Sequence, residues 1–300
     1  MLNQSFRNVI KKFIQQSGYE LHLNKIAKKP YEERGVAFIH IAKCGGISID
    51  SALREVFATA GQPRINRNSA IETSLLNFTQ DQPSPENSAR FGDLHVKTIQ
   101  TLINYHLGLN WSYVSGHTAV TLESLTQYHN KYHFVTVLRE PIKRFISHYI
   151  FTKLTNTLPI MLPNKFDVDN IIDEAKGIIS SRRGWHMANT PTMCLTGRYP
   201  SDREEALLMQ PKVLENLRYF SVVGFLDDLA SFSSQISIIT KKEISIKHRN
   251  ATNNLLDENK VRIEQILQEF FEERTTQLTL AHLCKFETEN FLKAQEIYVK

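Results

Sequence analysis

The 300-residue chain has few cysteines, no long apolar run near its start and only a small excess of charge. Its three cysteines, Cys44, Cys194 and Cys284, are scattered and lack metal-ligand spacing, which excludes a disulfide framework and a cysteine-based metal site. They indicate a reducing compartment, and we expect a cytoplasmic protein. The formal net charge of +5 is small for a nucleic-acid binder, so we expect no nucleic-acid partner. A small anionic ligand suits this charge.

Charged residues also interrupt the apolar positions near the N-terminus. Lys11 and Lys12 separate two short apolar pairs, so this segment is expected to be neither a signal peptide nor a spanning helix. The pattern is instead basic and amphipathic, which predicts a helical extension over residues 1–30. Packing of this helix on the domain, or on a second subunit in a homo-oligomer, is favoured over membrane contact. No linker divides residues 31–300, which we expect to form one α/β domain.

One strand–turn–helix segment indicates a phosphate site. The run from Val36 to Ile41 is typical of a buried strand, and a helical pattern begins near Ser48. Between them, two successive glycines allow backbone N–H groups to close on a phosphate, while the helix dipole and Lys43 add positive potential. The alternative interpretation is a tight turn with a solvated lysine.

A second strand–turn–helix segment also indicates a phosphate site. His133 to Leu138 again predicts a buried strand, and the residues after Pro141 predict an amphipathic helix. Arg139 stands where open parallel sheets bind ligands, and Ser147 follows two helical turns later. A guanidinium and a hydroxyl can hold one phosphate together. The alternatives are a surface ion pair for the arginine and an ordinary polar face position for the serine.

Together the two segments resemble the sulfotransferase superfamily, most closely its carbohydrate branch of heparan sulfate 2-O/6-O and chondroitin or dermatan sulfotransferases. The family loop Pro-Lys-Thr-Gly-Gly-Thr-Ser binds the 5′-phosphosulfate of 3′-phosphoadenosine 5′-phosphosulfate, and residues 42–48 here read Ala-Lys-Cys-Gly-Gly-Ile-Ser. The family's second motif, Leu-Arg-Asp/Glu-Pro followed by Arg-Phe-x-Ser-x-Tyr, is matched by residues 138–149. The resemblance implies a 5′-phosphosulfate site at Lys43, Cys44, Gly45, Gly46, Ile47 and Ser48, and a 3′-phosphate site at Arg139 and Ser147.

The resemblance also implies a fold and an activity. The fold would be a three-layer, P-loop-like α/β domain with a mostly parallel central sheet and helices on both faces. The activity would be sulfuryl transfer from this donor to a sugar or glycan hydroxyl, with Lys43 stabilising the departing 5′-phosphate and no metal required. Three positions depart from the family: Ala42, Cys44 and Ile47 replace a proline and two threonines. Each lost hydroxyl contact would cost about 1 kcal/mol, which weakens donor binding without abolishing it.

A histidine after a short strand is the candidate base. Residues 111–117 predict a strand ending in Gly-His, where the family often places a catalytic histidine. Imidazole accepts a proton near neutral pH, so His117 is our candidate and His95 the reserve. His40 is interpreted as a hydrogen-bonded core histidine of the first strand.

Three further stretches bear on the acceptor. Residues 61–92 are polar, turn-rich and too long for a plain connection, so they are expected to be disordered or functional and could lie over the acceptor cleft. Residues 185–197 resemble the family's acceptor-lining region, and residues 247–252 its late His-x-Asn-x-Thr/Ser segment. Lys247 and Arg249 could approach the cofactor or an acidic acceptor, with a solvated basic loop as the equal alternative.

Two other function classes remain open. A P-loop kinase needs Gly-x-x-x-x-Gly-Lys-Ser/Thr, whereas the lysine here precedes the glycines and the neighbouring strand ends in Arg139 rather than an acid. A non-catalytic nucleotide-binding subunit would keep the fold without turnover, and Cys44 and Ile47 make it credible.

Overall fold

The computed structural model describes residues 33–59, 61–79, 84–155, 170–246 and 258–299. The expected helical extension over residues 1–30 and the basic segment 247–252 lie outside these ranges, so both stay predictions. The division into an extension and one domain is likewise a prediction.

A four-stranded parallel sheet forms the centre of the described structure. Its strands are β1 (Gly35–Ile39), β2 (Tyr113–Gly116), β3 (Tyr132–Leu138) and β4 (Phe220–Phe225), in the spatial order β2-β1-β3-β4. Every residue of β1 is buried. A strand with two covered faces needs apolar side chains on both, which is why its sequence is a continuous apolar run. The predicted α/β class with a parallel sheet is confirmed.

Helices make up most of the remaining described structure, and none of them is both long and apolar enough to cross a membrane. The helices are α1 (Gly46–Phe57), α2 (Arg67–Leu75), α3 (Pro85–Gly108), α4 (Leu122–Tyr128), α5 (Pro141–Thr155), α6 (Ile171–Ile179), α7 (Arg182–Ala188), α8 (Thr190–Thr196), α9 (Arg203–Leu217), α10 (Leu229–Thr240), α11 (Glu258–Glu272), α12 (Arg274–Leu283) and α13 (Lys285–Tyr298).

The strand order places a crevice at one edge of the sheet. The chain leaves β1 towards β2 on one side, and it leaves β3 towards β4 on the other. Because crossover connections between parallel strands are right-handed, these opposite directions place helices on opposite faces, which is compatible with a three-layer fold. Ligands of such sheets bind where the direction reverses, which here is between the carboxyl ends of β1 and β3.

A buried arginine fixes the helices beside this crevice. Arg144, on α5, is fully buried, and its Nη2 donates to the backbone oxygens of Ala188 at 3.0 Å and of Met187. Both carbonyls lie at the end of α7, so the guanidinium joins α5 to the junction between α7 and α8. Since removing one partner of a buried charged hydrogen bond is costly, this contact holds α7 in place.

The structure contradicts one of the two expectations for residues 61–92, disorder, while a functional role stays a prediction. The described part of this stretch contains α2 and the first turns of α3. Asn66 accepts hydrogen bonds from the first-turn amides of α2, and Ser84 accepts one from the amide of Asn87. Asn, Ser and Pro are typical of turns and also of helix N-termini, and here they start helices.

The structure differs from the sequence pattern at two other places. The pattern of residues 164–184 predicts one helix, but in the described part of this range the helix is interrupted at Ser180 and Ser181, where the Ser181 hydroxyl accepts from the Gly184 amide and begins α7. Helix α12 was not predicted. The strands β1, β2 and β3 and the helices α1 and α5 lie within a few residues of the positions expected from the sequence.

Two glycines offer a matched test of the packing. A Cβ added to Gly224, on β4, would lie 2.7 Å from Cγ of Phe232, whereas one added to Gly177, on α6, would meet nothing within 4 Å. We expect Gly224→Ala to lower the free energy of unfolding by about 1–3 kcal/mol through overpacking. Gly177→Ala should raise it by about 0.5–1 kcal/mol, because alanine loses less backbone entropy in a helix. Urea denaturation of both variants measures this, and equal effects would contradict the packing described.

Candidate active site

Three neighbouring strands end at the same edge of the sheet and bring the predicted site segments together. Ile39 of β1 is in register with Gly116 of β2 and with Thr136 of β3. The residues that follow these positions therefore lie along one edge of the sheet. His117 comes directly after β2, and Arg139 directly after β3. The structure thus places the glycine loop between the candidate base and the candidate phosphate-binding arginine.

A hydrogen bond from Arg139 sets the conformation of the loop after β1. Its Nη1 donates to the backbone oxygen of Lys43 at 3.1 Å. Lys43 has φ 66° and Gly45 has φ 73°, so both adopt the left-handed conformation. For lysine this conformation costs about 1 kcal/mol, and such residues cluster at functional sites. The guanidinium contact stabilises the strained backbone of Lys43.

Steric contacts explain the two successive glycines. A Cβ on Gly46 would overlap the imidazole ring of His40, which packs directly against this position. A Cβ on Gly45 would approach Cδ1 of Leu226 to 2.6 Å, in addition to the unfavourable positive φ. The glycine pair is therefore required by close packing as well as by backbone conformation.

The N-terminus of α1 is arranged for an anion. No side chain caps this helix, and its first turn contains no acidic residue. Gly45 is the N-cap residue, and the side chain of Ile47 is 59% exposed. The dipole of α1 and its first amides therefore present positive potential at the loop surface without an internal acceptor side chain.

Lys43 is held beside the loop by an aromatic ring. Its Nζ lies 4.0 Å from the ring centroid of Phe151, on α5. Burial, followed by the charge of Arg139, lowers the pKa of Lys43 to about 8, and the charge of Glu264 opposes this shift. These surroundings therefore destabilise the ammonium group, and an anion bound nearby would stabilise it.

The alternative interpretation of Arg139 as a partner of Glu140 does not hold. The carboxylate of Glu140 accepts from the amides of Ile142 at 3.0 Å and Lys143 at 2.6 Å, and so it caps α5. Among the described residues, Arg139 forms no ion pair. Ser147 lies on the same helix, partly buried, and makes no hydrogen bond to the part of the chain that the structure describes.

Cys44 faces away from the loop surface. Its side chain is 1% exposed within the main hydrophobic core, and burial raises the pKa of the thiol to about 12. The thiol therefore stays protonated.

His117 has the geometry of a neutral base. Its Nδ1 lies 3.2 Å from the backbone oxygen of His40, and because a carbonyl can only accept, Nδ1 carries the hydrogen. Nε2 then keeps its lone pair. The ring stacks on that of His40 with 3.9 Å between centroids. Burial, His40 and the charge of Arg67 lower the pKa of His117 well below its usual value, so the imidazole is neutral at pH 7.

The other two histidines have different surroundings. His95 lies on α3, with Nδ1 2.8 Å from the hydroxyl of Ser74, and burial lowers its pKa to about 4 with help from nearby arginines. His40 follows the end of β1 rather than lying inside it, and it is only partly buried. Its ring packs between Gly46 and His117 and makes no hydrogen bond to a described residue, so its assignment as a hydrogen-bonded core histidine was wrong.

Sequence reasoning missed three charged residues at this edge. Asp50, on α1, accepts from the hydroxyls of Tyr113 at 2.9 Å and of Ser115, and so fixes α1 against β2. Arg67 and Arg183 lie close enough to His95 for both charges to lower its pKa. The position of Arg183 at the end of a predicted helix could have indicated a role near the site. No feature of the neighbouring sequence indicated one for Arg67.

Comparisons with known proteins add no assignment to this geometry. No family model matches the chain. No curated protein matches it either. The residues of the site itself are therefore the basis for its function.

The pKa of Lys43 allows a test of the anion site with sulfate alone. Sulfate keeps its charge between about pH 7 and pH 9, whereas Lys43 loses its proton around a pKa of about 8. We expect the sulfate affinity to fall with rising pH, by up to about tenfold per unit above that pKa, because only the ammonium form attracts the anion.

Lys43→Arg is the matched control, because a guanidinium stays charged over this range. Its sulfate affinity should be nearly independent of pH. Calorimetric titration at constant ionic strength measures both proteins. A wild-type affinity that does not change with pH would remove Lys43 from the anion site.

Proposed function

We propose that this protein is a sulfotransferase that moves a sulfuryl group from 3′-phosphoadenosine 5′-phosphosulfate to a hydroxyl of a sugar or glycan, on a P-loop-like α/β domain. One observation carries the proposal: Arg139 donates directly to the loop that contains Lys43, so two cationic side chains adjoin at the carboxyl edge of a parallel sheet. A neutral imidazole stands on the other side of the same loop.

Each of the two anionic groups of the donor has its own set of binding residues in this site. The amides of Gly45, Gly46 and Ile47 and the ammonium of Lys43 bind the 5′-phosphosulfate. The donors of Arg139 that are not used on the loop, together with the Ser147 hydroxyl, bind the 3′-phosphate. Donors that lack the 3′-phosphate are disfavoured, because a partly buried guanidinium would stay unpaired.

The transfer step follows from the same geometry. The acceptor hydroxyl oxygen attacks the sulfur, and the bond between sulfur and the bridging phosphate oxygen breaks. The hydroxyl proton moves to Nε2 of His117, which is unprotonated because Nδ1 carries the ring hydrogen. The electron pair of the broken bond stays on the departing 5′-phosphate, whose growing charge Lys43 stabilises. No step of this reaction requires a metal ion.

The cellular setting is part of the proposal. All three cysteines are free and buried, which supports the cytoplasm as the compartment. The sugar or glycan acceptor would enter from the side of α2, because Ile65, just before this helix, packs against Gly116, the residue that precedes His117.

Donor recognition can be tested on Arg139. We expect Arg139→Ala to weaken binding of 3′-phosphoadenosine 5′-phosphate by about 2–4 kcal/mol, because a charge-assisted bidentate contact is lost. Binding of adenosine 5′-phosphate should change little. Arg274→Ala, an exposed arginine on α12, is the control. Calorimetry that shows equal losses for both nucleotides would remove Arg139 from the 3′-phosphate site.

Mass spectrometry tests the activity itself. The protein is incubated with the phosphosulfate donor and a panel of saccharide acceptors without added Mg²⁺, and a sulfate-sized mass gain is expected. Mg²⁺-dependent consumption of ATP would instead identify a kinase. Donor binding without any transfer would identify a non-catalytic nucleotide-binding subunit.

The chemical step can be separated from donor binding at His117. We expect His117→Ala to keep donor affinity near that of the wild type while the rate of transfer falls by roughly 10²–10⁴-fold. Wild-type turnover should fall on acidification, because the imidazolium cannot accept a proton. Since the pKa of His117 lies well below 6.5, this fall should occur below pH 6.5 and be absent from the variant.

His282→Ala, an exposed histidine on α12, is the control, and its turnover should match the wild type. Thermal denaturation of each variant shows whether the domain is folded. A folded His117→Ala protein that retains most of its activity would assign the base to another residue, with His95 the next to substitute.

A further inference from the structure

The residue that follows β1 contacts His117 at two points. The amide of His40 donates to the backbone oxygen of Gly116 at 3.2 Å, and the backbone oxygen of His40 accepts from Nδ1 of His117 at 3.2 Å. The pairing of β1 with β2 thus continues past the ends of both strands and includes the candidate base. The second point of contact is the ring of His40, which stacks on that of His117 with 28° between the two planes.

The ring of His40 is itself fixed from two other sides. It stacks on the ring of Phe38, a core residue of β1, with 5.5 Å between centroids and 13° between planes. It also packs against the first residue of α1, because a Cβ on Gly46 would overlap its Nε2. Three stacked rings therefore lead from the core to the candidate base, and the middle ring has little room to move.

The orientation of the two imidazoles gives them different roles. Nε2 of His40 faces Gly46 and the start of α1. Nε2 of His117 carries no hydrogen, since Nδ1 carries it, and it makes no hydrogen bond to the part of the chain that the structure describes. This arrangement favours His117 as the group that accepts the proton, and it leaves His40 to act behind it.

The charge state of His40 suits a ring that lies behind a base. Burial, followed by the charge of Lys43, lowers the pKa of His40 to about 4, so its imidazole is neutral at pH 7. His117 becomes positively charged when it takes the hydroxyl proton. A neutral aromatic face with its centroid 3.9 Å away attracts that charge, whereas a protonated His40 would repel it.

The hydrogen bond to the His40 carbonyl is not sufficient to place the base. It fixes which nitrogen of His117 carries the hydrogen, but a single bond at 3.2 Å leaves the imidazole free to turn about the bond. Stacking on a fixed ring removes this freedom. Because a misplacement of about 1 Å can cost about a hundredfold in rate, the direction of Nε2 matters as much as its lone pair.

We infer that His40 is a positioning residue for His117: its backbone oxygen fixes the tautomer of the base, and its ring holds the imidazole so that Nε2 stays directed at the acceptor hydroxyl. This inference rests on the proposed function for the proton transfer, and on the contacts of His40 for the placement of His117.

Transfer kinetics test the ring of His40 against its volume. His40→Leu keeps a side chain of similar size without a ring, and we expect kcat to fall by about 10- to 100-fold while KM for the donor changes by less than about twofold. His40→Phe restores a ring that can stack and should keep kcat within about fivefold of the wild type. His106→Leu, on α3, where the histidine ring contacts that of Tyr105, is the matched control and should leave both constants unchanged.

A double variant shows whether His40 acts through His117. In the His117→Ala background, His40→Leu should cause no further loss of rate, because a positioning residue has no effect once the group that it positions is gone. A general defect of the domain would lower the rate by the same factor in both backgrounds. Thermal denaturation accompanies each variant.

Nuclear magnetic resonance tests the placement without any transfer reaction. The ring nitrogens of histidine are labelled with ¹⁵N, and the signals of His117 are those that disappear in His117→Ala. At pH 7 the wild type and His40→Phe should show a single tautomer of His117, with the hydrogen on Nδ1. In His40→Leu we expect a mixture with the Nε2–H tautomer, because the released ring leaves the His40 carbonyl.

The outcomes distinguish this inference from the proposed function. A folded His40→Leu protein with the wild-type tautomer and rate overturns the positioning role, and so does an equal loss of rate in both backgrounds. A raised donor KM with unchanged kcat also overturns it, because His40 would then belong to the donor site. If His40→Leu does not fold, a folded His40→Phe protein that has lost the single tautomer overturns it instead. If the wild type transfers no sulfate, the proposed function fails, and the tautomer of His117 still decides the role of His40.

Discussion

The hydrogen bond from Arg139 to the backbone of Lys43 is the contact on which the site depends. It joins the end of β3 to the loop after β1, and so it fixes the crevice between the two strands where the direction of the chain reverses. The same bond stabilises the left-handed backbone of Lys43, which turns the chain towards Gly45 and the start of α1. Without it, the loop amides and the guanidinium would have no fixed relative position, and a ligand with two phosphate groups would have to order them on binding.

The side chains of the site disfavour positive charge on one another, and this follows from its composition. Lys43, His40 and His117 all have lowered pKa values, with burial as the largest cause in each case and a positive or polar neighbour as the next. Such an arrangement favours neutral imidazoles and a weakly held lysine proton until anions enter. Bound anions would therefore do two things at once, since they would stabilise the ammonium and raise the basicity of the imidazole through Coulomb attraction. The affinity for substrates and the readiness of the base are coupled by the same charges.

The sequence predicted those parts of the structure that depend on interactions between residues close together in the chain. Buried strands of a parallel sheet give continuous apolar runs, and a glycine pair before a helix reflects short-range steric needs, so β1, β3, the loop and α1 were predictable. The helix α2 was not, because Asn and Pro start helices as readily as they form turns, and the local pattern does not say which. The inward direction of Cys44 depends on packing beneath the loop. The approach of Arg67 to Arg183 joins positions more than a hundred residues apart through the packing of α3 and α7, and no spacing rule in one sequence encodes it.

The position of Gln62 has a consequence for solubility. β2 is an outer strand of the sheet, and its outward backbone groups could pair with a strand of another molecule. The Gln62 amide occupies the Tyr113 carbonyl on that side, and Ile65 packs against the end of the same strand. The segment before α2 thus also covers a sheet edge. A variant shortened in this segment to widen the cleft would expose the strand, and edge-to-edge association would compete with any gain in substrate access.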